Sequence, residues 1–155
     1  MLIQTILNNQ YSFKSFTYSS VRFDENIKSI IISIIPRKNG IITCSKCEKS
    51  APGYDTQKKP RRFDYIPLWG TPVSFEYRMR RCNCTDCGVK TEKVPWALGK
   101  NTVTIAFMLV LAEWAKSLSW KETAQRFHVS WEKVFKSIEY VVAWGLKERD
   151  LSNIL

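Results

Sequence analysis

The chain has 155 residues, of which 45% are apolar and 25% are charged, and its formal net charge is +10. This length suits one ordinary domain or two small ones, and the apolar share excludes a wholly disordered chain. The longest apolar run, residues 103–112, is too short to span a bilayer, and the first residues lack the basic segment of a secretory signal. We therefore expect a cytoplasmic protein with no membrane partner.

The positive charge is concentrated in the middle of the chain. Residues 1–36 and residues 101–155 each carry a net charge of +1, whereas residues 37–100 hold fourteen basic and six acidic side chains, net +8. Such a segment is suited to a polyanionic partner, above all nucleic acid.

The first region, residues 1–43, begins with an amphipathic segment that contains Leu2, Ile3, Ile6 and Leu7. Two strands are predicted after it, over residues 29–35 and 41–43. The Asn-Gly dipeptide at positions 39 and 40 predicts a hairpin turn between these strands.

Four cysteines form two C-x2-C pairs, Cys44 with Cys47 and Cys84 with Cys87, separated by 36 residues. Each pair aims two thiolates at one point, and tetrahedral zinc takes four such ligands, so the two pairs together predict one structural Zn2+ site. With that zinc bound, the middle segment keeps a net charge of about +6. Cys82 is left over, and we interpret it as a strand residue that faces the small core.

Two strands with period-two alternation are predicted between the cysteine pairs, over residues 61–66 and 73–81, with a turn at 67–72. Four of their five arginines are the predicted phosphate contacts of a nucleic-acid surface: Arg61, Arg62, Arg80 and Arg81. Residues 94–100 are predicted to be a linker.

The last region, residues 101–155, is predicted to be helical. The first helix covers residues 102–117, and the Ser119 and Glu122 side chains fit a capping box that starts a short helix ending near Phe127. A turn follows at His128 and Val129, and Ser130 is predicted to cap a longer helix.

A short and a long helix joined by a tight turn predict a helix-turn-helix, with Ala124 and Val134 packed where the two helices cross. The alternative is a plain helical hairpin whose Trp and Val side chains are all core. The predicted DNA-facing residues of this region are Lys121, Ser130, Trp131, Lys133, Lys136 and Ser137.

The predicted fold class is therefore α+β. A β-rich region over residues 1–100 contains the four-cysteine zinc module, and an all-α helix-turn-helix domain follows over residues 101–155.

The sequence resembles the N-terminal half of transposases of the ISL3 insertion-sequence family, and the resemblance covers nearly the whole chain. The segments that carry it are residues 52–56, 60–63, 66–70, 79–81, 84–90, 94–97 and 114–124. The resemblance implies that the four paired cysteines bind zinc. It also implies that the helix-turn-helix helps to recognise the terminal inverted repeats of the element, in a bacterial, nucleoid-associated setting.

Two departures from the family pattern bear on function. His128 stands where the family turn often has Gly, and no DDE catalytic domain is present in this sequence. No pair of its aspartates is placed to hold two metals for phosphodiester chemistry, so we expect no DNA cutting or strand transfer and no small-molecule substrate.

Three functions agree with these residues. The first is DNA binding as the non-catalytic part of a transposase, with double-stranded DNA and a second copy or an intact transposase as partners. The second is a stand-alone regulator or repressor derived from a transposase. The third is a zinc-stabilised protein-interaction module, since six Trp and six Tyr can anchor an interface.

Overall fold

Seven strands and four helices make up residues 3–148, the part of the chain that the computed structural model describes. The chain divides into two units, Met1–Thr102 and Val103–Leu155. The predicted α+β class is confirmed, because β-sheets with a four-cysteine cluster precede the C-terminal helices.

The first unit contains one helix and two sheets. Its elements are α1 (Ile3–Gln10), β1 (Phe16–Asp24), β2 (Ser29–Pro36), β3 (Gly53–Thr56), β4 (Arg61–Leu68), β5 (Thr71–Tyr77), β6 (Arg80–Cys84) and β7 (Gly88–Thr91). The larger sheet has the order β1-β2-β5-β4, and the smaller one the order β3-β6-β7. Among the strands that the structure describes, only β2 and β5 pair in parallel.

The β2 strand is the hydrophobic centre of the larger sheet. Ile30, Ile31, Ile32 and Ile34 are all buried, as expected for a central strand that is covered on both faces. The rest of the core is aromatic: the Trp96 ring lies 4.9–6.0 Å from the rings of Phe13, Phe16, Phe63 and Tyr77. Trp96 therefore fixes the segment after β7 onto the larger sheet.

The predicted hairpin at Asn39 and Gly40 is wrong. β2 pairs instead with β1, a strand that the sequence analysis did not predict, and residues 41–43 form no strand beyond an isolated bridge at Thr43. Gly40 serves close packing, because a Cβ atom at this position would lie 2.6 Å from the carbonyl oxygen of Ser15.

The predicted strand over residues 73–81 is split into two. β5 ends at Tyr77 in the larger sheet, and β6 begins at Arg80 in the smaller one. Arg78 and Met79 connect the two sheets, so this one segment carries the chain from the core to the cysteine cluster.

The second unit consists of α2 (Ile105–Trp114), α3 (Trp120–Phe127) and α4 (Trp131–Lys147). α2 is shorter than the predicted 102–117 and is capped by the Thr104 hydroxyl, which accepts from the backbone N–H of Phe107. No helix among the described residues is long and apolar enough to cross a membrane.

The α3–α4 segment consists of a short and a long helix joined by a tight turn, as the sequence predicts. The capping box between Ser119 and Glu122 is present, His128 adopts the left-handed conformation with φ of 53°, and Ala124 and Val134 are buried. His can occupy this region at a smaller cost than a β-branched residue, so the turn forms without Gly.

Candidate metal centre and nucleic-acid interface

Two turns of similar conformation position the four paired cysteines. After Cys47 the chain turns through Glu48, with φ of 60°, and after Cys87 it turns through Gly88, with φ of 71°. In the first turn the Glu48 N–H donates to the Cys44 carbonyl at 3.0 Å. The left-handed residue after each pair reverses the chain tightly enough to bring both thiols of that pair to one side.

The sulfur atoms of Cys44, Cys47, Cys84 and Cys87 all lie within 4.8 Å of one another. The Sγ atoms of Cys47 and Cys84 are 3.4 Å apart. A tetrahedral zinc with Zn–S bonds of about 2.3 Å needs sulfur atoms about 3.8 Å apart, so the cluster fits one zinc ion with small adjustments. The predicted set of four cysteines is therefore brought together as a cluster that could hold one metal ion.

The protonation of these thiols is uneven. Backbone N–H groups of Cys47 and Lys46 lower the pKa of the Cys44 thiol to about 6. Burial, together with the neighbouring Cys47 and Cys84 thiols, raises the pKa of the Cys87 thiol to about 12. Near neutral pH a cation must displace the Cys87 proton, so metal binding releases protons and weakens as the pH falls.

Cys82 faces the same side of β6 as Cys84 and is fully buried beside the cluster. It was predicted to face the small core, and it does. It is not one of the four residues whose sulfur atoms converge, so it is not assigned as a ligand.

A buried ion pair joins the smaller sheet to the larger one. The Glu92 side chain is fully buried and accepts from the Arg80 guanidinium, at 2.7 Å from Nη2, and from the Tyr77 hydroxyl at 2.5 Å. Glu92 also bridges to Cys44 through the backbone. Glu92 therefore links the first cysteine turn, through its backbone, to the end of β5, through its carboxylate.

The four arginines predicted to contact phosphates all have partners inside the protein. Arg61 donates to the carbonyl oxygens of Gly99 and Asn101, and burial lowers its pKa. Arg80 binds Glu92 with only 15% of its side chain exposed.

The other two arginines are more accessible. Arg62 pairs with Glu76 at 3.1 Å and Arg81 pairs with Asp55, and in both arginines more than 40% of the side chain is exposed. Because an exposed ion pair is weak, these two can exchange a carboxylate for a phosphate, whereas Arg80 cannot without leaving Glu92 buried and unpaired.

Lys58, Lys59 and Arg78 form a basic cluster, and none of them is among the predicted DNA contacts. The Gln57 N–H donates to the Met79 carbonyl at 2.9 Å, which brings the loop before β4 next to the end of β5. All three side chains are exposed, and among the described residues no carboxylate pairs with them. The run of basic residues at 58–62 is visible in the sequence. The position of Arg78 beside Lys58 and Lys59 depends on the fold.

The helical unit presents a less basic surface. Lys121, Ser130, Trp131 and Lys136 are exposed and Lys133 is half-buried. Ser137 was predicted to face outward, and this prediction is wrong: the residue is fully buried and its hydroxyl donates to the Lys133 carbonyl.

Three exposed aromatic side chains lie on α3 and the first half of α4. Trp131 is 58% exposed, and Trp120 and Phe135 are exposed with ring centroids 5.4 Å apart. Glu132 and Glu139 offset the nearby lysines on α4. This face can make apolar or stacking contacts as well as polar ones.

Comparison of this chain with protein-family models, with curated proteins and with solved structures finds no match.

Proposed function

We propose that this chain is a zinc-stabilised DNA-binding protein, the non-catalytic N-terminal part of an ISL3-family transposase that binds the terminal inverted repeats of its element. The observation that carries the proposal is the uncompensated positive charge of the first unit. Its residues 1–102 hold seventeen basic and eight acidic side chains, net +9. Charge of this density on a folded unit supports binding to phosphates.

The two units have different roles in this proposal. Lys58, Lys59 and Arg78 contact the DNA backbone, with Arg62 and Arg81 as exchangeable contributors. The α3–α4 segment supplies sequence preference through Trp131 and Lys136 at the start of α4. Zinc holds the cysteine turns together and takes no part in chemistry.

The proposal is tested by fluorescence anisotropy of a labelled DNA duplex over a range of salt concentrations. The triple variant Lys58→Ala/Lys59→Ala/Arg78→Ala should lower the slope of log K against log salt by about 0.9 for each lost phosphate contact. Lys116→Ala removes an exposed lysine that pairs with Glu113 on the helical unit, and it should leave the slope unchanged. An unchanged slope in the triple variant would mean that the basic cluster makes no contact with the DNA phosphates.

A second candidate function is a protein-interaction module. The exposed aromatic face of α3 and α4 favours it, since Trp is enriched at the energetic centres of interfaces. The two functions differ in salt dependence, because apolar association changes little where phosphate binding weakens steeply. A repressor derived from a transposase would share the DNA-binding activity and differ only in its biological outcome.

A further inference from the structure

The tip of the β4–β5 hairpin presents the most exposed large hydrophobic side chain among the described residues. Trp69 is 87% exposed, and it occupies the two-residue turn together with Gly70. Trp69 has a φ of 51° and Gly70 a φ of 76°, so both turn residues are left-handed. A turn of this kind favours Asn or Gly at its first position, and a bulky residue there is disfavoured.

Neither the turn conformation nor burial within this chain accounts for an indole at position 69. An exposed aromatic side chain on a tight turn is suited to insertion into another surface, because the hairpin already fixes its backbone and only two side-chain torsions remain to be ordered on contact.

The neighbouring β1–β2 turn adds apolar and acidic groups to this tip. The Ser29 hydroxyl donates to the Pro72 carbonyl at 3.0 Å, which fastens the two turns side by side. Phe23 is 50% exposed and Ile27 is 52% exposed. Residues 24–28 hold two acidic side chains and one lysine, net −1. We call Trp69, Phe23, Ile27 and this acidic turn the tryptophan tip.

The opposite end of the same sheet contains a cleft. The parallel pairing of β2 with β5 stops at Ser33 and Glu76, and beyond that point the two strands diverge. The cleft between them has a volume of about 320 Å³, and half of its lining residues are apolar: Ile34, Ile35, Pro36, Pro60 and Tyr77. An apolar cavity of about 150 Å³ accommodates benzene, so this cleft has room for an indole.

Basic side chains outnumber acidic ones around the cleft. Arg78 and Arg80 line it, and Lys58 and Lys59 immediately precede its Pro60. Its one lining carboxylate, Glu76, is paired with Arg22 and Arg62. The tryptophan tip has a net negative charge and the cleft rim a net positive one, so the two ends of the sheet are complementary in charge.

We propose that the tryptophan tip of one copy of this chain docks in the β2–β5 cleft of a second copy. One copy cannot fill its own cleft, because β5 is seven residues long and separates the two ends by about 20 Å. The contact is heterologous: each copy offers one tip and one cleft, so that association continues beyond the dimer unless the rotation closes a ring.

The test is a mixing experiment followed by analytical ultracentrifugation of the zinc-loaded full chain without DNA. Trp69→Asn removes the indole and favours the turn, so it leaves the fold intact, while its cleft remains functional. Arg78→Glu reverses the charge of the cleft rim, while its tip remains functional. Each variant alone should associate at least about tenfold more weakly than the unchanged chain, and their mixture should form dimers but nothing larger.

The control is Trp144→Ala, which removes a tryptophan that is 53% exposed on α4 and should leave association unchanged. The unchanged chain remaining monomeric would overturn the proposal. So would undiminished association of Trp69→Asn, or a mixture of the two variants that forms no dimer. Because no DNA is present, failure here is separate from failure of the proposed DNA binding.

Discussion

Glu92 is a buried charged residue of the first unit whose partners lie on two strands. Its carboxylate is buried, and it is the counter-ion of an Arg80 side chain that is only 15% exposed. Glu92→Gln keeps the shape and leaves that guanidinium unpaired, so we expect the free energy of unfolding to fall by about 3–5 kcal/mol. The measurement is urea unfolding, with zinc in constant excess.

The matched control is Glu48→Gln. Glu48 also pairs with a cation, Lys93, but both side chains are largely exposed, so its loss should have little effect. Equal effects of the two substitutions would contradict the structural role given to Glu92.

The number of zinc ions bound per chain should distinguish the four paired cysteines from Cys82. Cys47→Ser removes one of four converging sulfur ligands, and it should lose the zinc and much of the order of the cysteine turns. Cys82→Ser should retain one zinc per chain. Native mass spectrometry counts the metal directly, and loss of zinc in Cys82→Ser would mean that the ligand set is wrong.

At the scale of elements, the two serines that precede α3 and α4 should differ in how much they stabilise the helical unit. The Ser119 hydroxyl accepts from the backbone N–H of Glu122, whereas the Ser130 side chain makes no capping hydrogen bond. Ser119→Ala should therefore destabilise the helical unit by about 1 kcal/mol, and Ser130→Ala by much less. Thermal unfolding followed by circular dichroism compares the two, and a larger effect at Ser130 would contradict the assignment.

The capping box should also make α3 sensitive to acid. The Ser119 hydroxyl and backbone N–H lower the pKa of Glu122 below its ordinary value of 4.5. The ionised carboxylate therefore contributes stability that is complete above the unfolded-state pKa and is lost as the pH falls through the folded-state pKa. The stability difference between the unchanged chain and Glu122→Gln should be constant near neutral pH and shrink in acid.

Several elements were predictable because their signal is local. The cysteine pairs, the capping box and the αL turn at His128 each depend on residues within a few positions of one another. β1 escaped prediction because its register shifts between Tyr18 and Ser20, and this bulge interrupts the period-two alternation.

The internal partners of the arginines could not be predicted, because they are far apart in sequence. Glu76 binds both Arg22 and Arg62, and the first of these pairs spans 54 residues. The predicted exposure of Ser137 was wrong for a different reason. A backbone carbonyl accepts a hydrogen bond from its hydroxyl, so a polar residue is tolerated on the buried face of α4 beside Val134.

Across the whole molecule, charge and aromatic surface are distributed differently. The first unit has a net charge of +9, and residues 103–155 have seven basic and six acidic side chains, net +1. We therefore propose that phosphate attraction belongs mainly to the first unit and that the helical unit contributes shape and aromatic contacts. This division is the reason why we place affinity in the first unit and sequence preference in the second.

The central claim is that a zinc-stabilised basic unit binds DNA. The most direct measurement is the affinity of the zinc-loaded, unsubstituted chain for duplex DNA between about 50 and 200 mM salt. Three phosphate contacts, one for each cation of the basic cluster, predict a slope of log K against log salt of about −2.7 or steeper, and lost binding when a chelator removes the zinc. An affinity that is independent of salt, or is unchanged without zinc, would contradict the claim.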